Sequence, residues 1–448
     1  MSEYTVHTST LFDPKRLAWL ENVSITVNKI NGLIVKVTER KGKDTEVKDG
    51  DIDLRGKVVL PGLVDAHTHI FLHAYAENPS VNQKRDESFV ERIIRATNHC
   101  RIALLSGYTT YRDLGSESMK EADANVRDAI NRGLMPGPRL FVATRVIAST
   151  LAYEPRNENH IGGTCMPAGC DSADGPDELR KAVRRRIGYG ADLIKVYADY
   201  RRRIMRFPPK QQHPYVTEIN ILPDDPNPDH NVFSDEELRA IVEEARMAKA
   251  PCVAHAHTEE GVIASCKAGV DCIEHASRVG DAGLKAMLDG DVMMCPTLSV
   301  VEFMHVKHFP EILKTVKKAF DMGIRIAAGG DTGTFPHGEG VREIELLIQA
   351  GLPLEEAIKS ATLRGWESCG GDLCGRRFGW FEEGCAADII ALDSDPRTDK
   401  NAFRKVDFVM KDATVWKQAG QGQGMLEIGT PQRGNYLTKF GLDAEQSW

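Results

Sequence analysis

Between residues 57 and 379, short apolar runs alternate with amphipathic helical stretches, and this alternation constrains the fold more than any other feature of the chain. A strand followed by a helix must return along the sheet before the next strand begins, so consecutive strands pair in parallel. Eight runs read as strands: Val58–Ile70, Tyr108–Leu114, Arg139–Ile147, Ala191–Tyr197, Pro251–His257, Cys272–Ala276, Val292–Leu298 and Arg325–Asp331. Glu87–Leu105, Pro176–Gly188, Ser234–Lys249 and Glu339–Ala350 read as helices between them, and Ser234-Asp-Glu-Glu237 is a capping box. Eight strands with intervening helices predict an α/β fold, a (β/α)8 TIM-like barrel over 57–379. In such barrels, functional groups collect at the C-terminal strand ends.

The chain ends have a different rhythm. Ser24–Val27, Gly32–Val37 and Asp51–Leu54 alternate apolar and polar residues, and so do Ala387–Leu392, Phe403–Met410 and Ala413–Trp416. Alternation between turn-rich stretches is the pattern of sandwich strands. It predicts a small β-sandwich domain built from 1–56 plus 380–420, with 421–448 as a Gly- and Gln-rich tail. Two insertions, Ser149–Ser172 and Arg201–Asn231, follow barrel strands and are expected to overhang the mouth.

Composition narrows the partners. A net charge of −8 argues against nucleic acid or an anionic membrane, and no run approaches the ~20 apolar residues of a membrane span. The start Met1-Ser-Glu-Tyr-Thr-Val-His7 has neither the basic nor the apolar part of a signal peptide, so a cytoplasmic location is expected. The ten cysteines then read as reduced thiols. Cys165/Cys170 and Cys369/Cys374 lack the C-x2-C zinc spacing.

The polar residues at strand ends carry the chemistry. His67 and His69 share a face, because side chains along a strand repeat every second residue. Strand four places Lys195 inside an apolar run, strand five ends in His255-Ala-His257, strand six in Glu274-His275 and strand eight in Gly329-Gly330-Asp331. Burial lowers a lysine pKa toward the neutral amine, which can take up carbon dioxide as a carbamate able to bridge two divalent ions. The other reading of Lys195 is a counter-ion to a buried carboxylate. Imidazole suits zinc and similar metals.

The set His67-x-His69, Lys195, His255, His275 and Asp331, with Pro61-Gly-Leu-Val-Asp-Ala66 ahead of it, resembles the binuclear metal-dependent amidohydrolase superfamily over nearly the whole chain. Gly107–Leu114, Ala173–Glu178, Ala191–Lys195 and Gly269–His275 look like the branch containing Xaa-Pro and Xaa-Arg/Lys dipeptidases and ochratoxinase, with imidazolonepropionase more distant. The resemblance implies that His67, His69 and Asp331 hold one metal, that His255 and His275 hold a second, and that N6-carboxylated Lys195 bridges two divalent ions, zinc by preference. It further implies a bridging hydroxide as nucleophile and Asp331 as general base and acid. His257 is expected to contact substrate or polarise its carbonyl rather than ligate metal. Tyr197, two residues past Lys195, faces the same way and either bonds the substrate or packs.

The implied reaction is hydrolysis of a peptide-like amide next to a C-terminal carboxylate, in a small-molecule amide or dipeptide, by a homo-oligomeric enzyme. Arg156 or the run Arg201–Arg206 can supply a carboxylate clamp. The chain departs from its branch at His160-Ile-Gly-Gly163 and in Val196–Arg203, both in substrate-facing loops. The alternatives are a cyclic-amide hydrolase of imidazolonepropionase or dihydroorotase type, and a non-catalytic oligomeric scaffold. Lys195 argues against mononuclear deaminases, and the intact ligand set argues against the scaffold.

Overall fold

The computed structural model describes residues 2–41, 46–152, 168–201, 229–304 and 306–424. Arg156, His160, Cys165 and Arg202–Arg206 lie outside the described residues, as does most of the expected tail.

Strands from both ends of the chain meet in one nine-stranded sheet. Its order runs Gln421–Gly422, Thr414–Gln418, Val406–Lys411, Ile389–Leu392, Ile52–Pro61, Glu3–Asp13, Val23–Asn28 and Leu33–Glu39, with Ala18–Glu21 pairing Glu3–Asp13. Val23–Asn28 shows why it forms: Val23, Ile25 and Val27 are buried while Ser24, Thr26 and Asn28 are partly exposed, the apolar-in, polar-out alternation of a sheet with one wet face. Leu11, Val59, Ile389, Phe408 and Met410 complete that core.

The middle of the chain forms parallel ladders. Leu63–Thr68, Tyr108–Asp113 and Arg139–Val142 make one sheet, and Cys170–Ser172, Val146–Ala148, Ile194–Tyr197, Cys252–Thr258, Cys272–Arg278 and Met293–Cys295 make another. Leu63–Thr68 is buried at every position, as expected of a strand covered on both sides. The capping box at Ser234/Glu237 starts the helix Asp235–Met247, and Pro176 sits in the first turn of Pro176–Gly188. Among the described residues, no helix is long and apolar enough to cross a membrane.

Three expected strands differ in detail. Val58–Ile70 is two strands, because Ile52–Pro61 belongs to the nine-stranded sheet and Leu63–Thr68 to the parallel one. The chain changes sheets at Gly62, where an added Cβ would lie 2.2 Å from Thr109 Oγ1. Arg139–Ile147 is interrupted at Thr144, which has a left-handed φ of 59°. The part before the break pairs with Tyr108–Asp113 and the part after it meets Ile194–Tyr197. Arg325–Asp331 forms no ladder, yet the bridges Met294↔Ile326 and Thr68↔Thr332 join the segment around it to strands on either side.

Glu343, in the first turn of Val341–Ala350, ties that helix to the start of Leu298–Met304. It accepts from the Leu298 and Ser299 amides at 2.9 and 2.7 Å and from the Ser299 hydroxyl at 2.8 Å. Burial nevertheless dominates and raises its carboxyl from 4.5 to about 8. The folded chain therefore keeps a proton that the unfolded chain releases. The stability this provides is complete below pH 4.5 and is lost as pH rises through about 8. Glu343→Gln should flatten the pH dependence of the thermal midpoint across that window, and a slope equal to the parent's would refute the assignment.

Candidate metal centre

His67 lies near the end of the strand Leu63–Thr68 and His69 directly follows it, and their donor nitrogens converge on Asp331. Nε2 of His67 lies 3.6 Å and Nε2 of His69 3.3 Å from Asp331 Oδ1. Each ring is held from behind. His69 Nδ1 donates to the Gly115 carbonyl at 2.9 Å, and His67 Nδ1 faces Glu274 Oε2 at 2.8 Å. A carbonyl cannot donate, so in neutral His69 the lone pair sits on Nε2, toward Asp331.

Asp331 reaches this position because the segment before it approaches closely. A Cβ on Gly329 would lie 2.5 Å from the His67 backbone nitrogen, so only glycine fits. Asp331 itself has φ +63°, and His275 across the site has φ +77°. Left-handed backbone at non-glycine residues is uncommon and collects at functional sites.

His255 and His275 form the other side. Their ring centroids are 4.6 Å apart, and the His275 ring is 5.1 Å from that of His67. His275 Nδ1 is held at 2.8 Å by Thr297 Oγ1. Donor atoms of His255, His257 and His275 lie within 4.8 Å of one another, and so do those of His67, His275 and Asp331. The structure thus places His257 among the donors, with its ring stacked on His275 and its Nδ1 2.6 Å from Ser277 Oγ. Tyr197 is buried, with its ring centroid 4.4 Å from that of His255.

The electrostatics favour cations here. Burial lowers His67 to about 4 and drives His255 and His275 well below the usual range, so all three present neutral nitrogens. His69 behaves oppositely. Burial opposes its charge, but Asp331, Glu117 and Asp113 raise it to about 9. A field that favours a proton at Nε2 also favours a metal ion there. Burial also tends to raise Asp331, yet His67, His69 and Lys195 hold it down to about 2.

Two atoms test the fit to a metal. Lys195 Nζ is buried with no hydrogen-bond partner, and Asp331 Oδ1 is buried facing Nε2 of both His67 and His69. Orphaned buried polar atoms are rare in native structures and call for a missing partner. Burial lowers the Lys195 pKa, which favours the neutral amine. A donor set of histidine nitrogens and a carboxylate fits divalent ions of the zinc type.

Sequence reasoning left several neighbours without a role. Buried Glu117 lies 3.8 Å from His69 Nδ1 and pairs with Lys84. Arg112 pairs with Glu274 at 2.7 Å beneath His67. Tyr200 packs edge-on against Tyr197, and Arg201 lies over the Tyr200 ring. Only tertiary proximity reveals these pairs, although Tyr197 as a substrate contact and Arg201, within the run Arg201–Arg206, as a carboxylate clamp are candidates from the sequence.

Comparison with known proteins gives the family context. The amidohydrolase family model matches residues 58–421. The chain is 29% identical over 406 residues to ochratoxinase of Aspergillus niger, covering 82% of this chain and 77% of that protein. The solved A. niger ochratoxinase superimposes with a TM-score of 0.77 at 25% identity, covering 95% of this chain and 98% of that one. A Xaa-Pro dipeptidase with methionine bound in its active site matches with a TM-score of 0.77 at 28% identity, over 93% of this chain and 100% of that one.

Proposed function

The chain belongs to the amidohydrolase family, a hydrolase of C–N bonds in small molecules, and from that premise we propose that it cleaves a peptide-like amide next to a C-terminal carboxylate. The observation that carries this reading is the buried, unpartnered Lys195 Nζ, together with histidine nitrogens and the Asp331 carboxylate that converge closely enough to hold a metal. Residues 57–379 are read as a (β/α)8 barrel, supported by the parallel ladders and the two closing bridges. Residues 1–56 plus 380–420 are read as its β-sandwich companion, supported by the shared sheet and its own core.

In this reading His67, His69 and Asp331 would hold one ion, and His255 and His275 a second. Lys195, carboxylated on its amine, would bridge them. Zinc or a similar ion, when bound, would acidify a water and polarise the amide carbonyl. Asp331, ionised at neutral pH, takes the proton from the attacking water and returns it to the leaving amine. His257 stands beside His255 and His275, where it can donate to the substrate carbonyl. The Tyr197–Tyr200 pair offers an aromatic wall and Arg201 a cation beside it, which suits an amide whose leaving amino acid is aromatic and carries a free carboxylate.

Metal analysis with a substrate panel tests this proposal. Two ions per chain, loss of activity on chelation and recovery with zinc are expected. Among Xaa-Phe, ochratoxin-like, Xaa-Pro, Xaa-Arg and cyclic amides, the aromatic C-terminal amides should have the highest kcat/KM. Activity that survives complete metal removal would refute the metal-dependent reading.

A further inference from the structure

Beneath the donor cluster lies an ion pair that the proposed chemistry does not use. Arg112 lies in the strand Tyr108–Asp113 of the first parallel sheet and Glu274 sits in Cys272–Arg278, and both side chains are fully enclosed. Arg112 Nη2 donates to Glu274 Oε1 at 2.7 Å. Its Nε donates to the Ala66 carbonyl at 2.5 Å and its Nη1 to the Ser368 carbonyl at 3.0 Å. The remaining oxygen of Glu274 meets His67 Nδ1 at 2.8 Å.

Burying two full charges is costly, and apolar residues of equal volume hold a core at least as well. Stability alone is therefore a poor reason for this pair. We infer that Glu274, braced by Arg112, is a positioning residue that fixes the tautomer and ring orientation of His67, so that its Nε2 faces Asp331 and the metal position. This inference rests on the metal centre proposed above.

The chemistry follows from what each group can donate. An ionised carboxylate only accepts, so His67 Nδ1 must carry the proton and Nε2 the lone pair. A carboxylate behind a ligating imidazole also strengthens it as a donor. His69 leans on a neutral carbonyl instead, which leaves the two members of His67-x-His69 unequal.

Donor atoms of His67, Glu274 and Cys295 also lie within 4.8 Å of one another. A metal held there would face the Arg112 guanidinium, which already occupies one oxygen of Glu274. Repulsion by that fixed charge decides for orientation rather than for another metal site. Glu274 reaches His67 from the position next to His275 because the backbone turns left-handed at His275 and Ala276, with φ of 77° and 48°. The ordinary strand alternation is broken at that point.

Two substitutions separate positioning from packing. Glu274→Asp keeps a charge for Arg112 but is one methylene too short to span both partners. Glu274→Gln keeps the reach and loses the charge. Zinc affinity by chelator competition, the thermal midpoint of the metal-free protein, and 15N shifts of the His67 ring are measured for each.

The expected result is a loss of about 10–100-fold in affinity for one of two ions. In Glu274→Asp the metal-free midpoint should stay within a few degrees, and the His67 nitrogens should shift from a single Nδ1–H tautomer to a mixture. Unchanged affinity and an unchanged 15N pattern in both variants would overturn the inference and leave the metal centre standing. Unfolding of both metal-free variants would assign the pair to the core and also overturn it. If the parent protein binds no metal, the proposed centre fails, and the 15N pattern still decides whether Glu274 sets the tautomer.

Discussion

Asp331→Asn should leave the chain folded while lowering kcat by roughly 10^2–10^4-fold, the usual contribution of a general acid–base group. Asparagine suits this test because Asp331 has a left-handed φ of +63°, which Asn tolerates better than other side chains do. Its amide oxygen can still face His67 and His69, so the geometry near Nε2 survives. The ability to take and return a proton does not. Thermal melts should match the parent within a few degrees, and metal analysis should find at least one ion retained. Turnover close to that of the parent would remove Asp331 from the mechanism.

The legible parts of the fold are those where one local rule acts alone. The helix Asp235–Met247 begins where Ser234 and Glu237 cap it, and Pro176 opens Pro176–Gly188. Val58–Ile70 reads as one strand because apolar residues stand on both sides of Pro61-Gly62, yet that dipeptide lets the chain leave one sheet and enter another. Composition does not distinguish the two sheets, since both cover those residues with apolar neighbours. Arg325–Asp331 similarly has strand composition, but Gly329-Gly330 and the turn at Asp331 leave it held by bridges rather than a ladder.

The candidate site divides along the same physical line. His67 with His69, and His255 with His257, stand at the two-residue period of a strand, so their shared faces are visible in one dimension. The Lys195 amine is marked by an expensive charge in an apolar run. Glu274 is hidden, because period two places it opposite His275 until the left-handed backbone turns both toward His67. Arg112 and the Lys84–Glu117 pair are hidden for another reason. Their partners are far away in sequence, and only the folded chain brings opposite charges together.

Lys195 offers the second large effect, and it should act on stability and function in opposite directions. Its amine is buried without a hydrogen-bond partner, and an unsatisfied buried polar group costs about 1–3 kcal/mol. Lys195→Met fills similar volume with no polar atom, so the metal-free protein should be stabilised by an amount of that order. The same variant should lose the bridging ligand, and with it metal stoichiometry and amide hydrolysis. In the proposed reading the neutral amine would add its nitrogen to the carbon of carbon dioxide, opening one C=O π bond onto oxygen and releasing one proton, to leave a carbamate anion. Burial favours this by lowering the lysine pKa, since only the unprotonated amine carries the attacking pair. Protein incubated with 13C-bicarbonate and zinc should therefore show a carbamate carbon resonance that Lys195→Met lacks. In the smaller variant Lys195→Ala, short carboxylic acids can enter the vacated space and supply the missing oxygens, so formate or acetate should restore part of the activity. A stable, zinc-replete and active Lys195→Met protein would show that the buried amine has a purely structural role, and the reading of two bridged ions would fall with it.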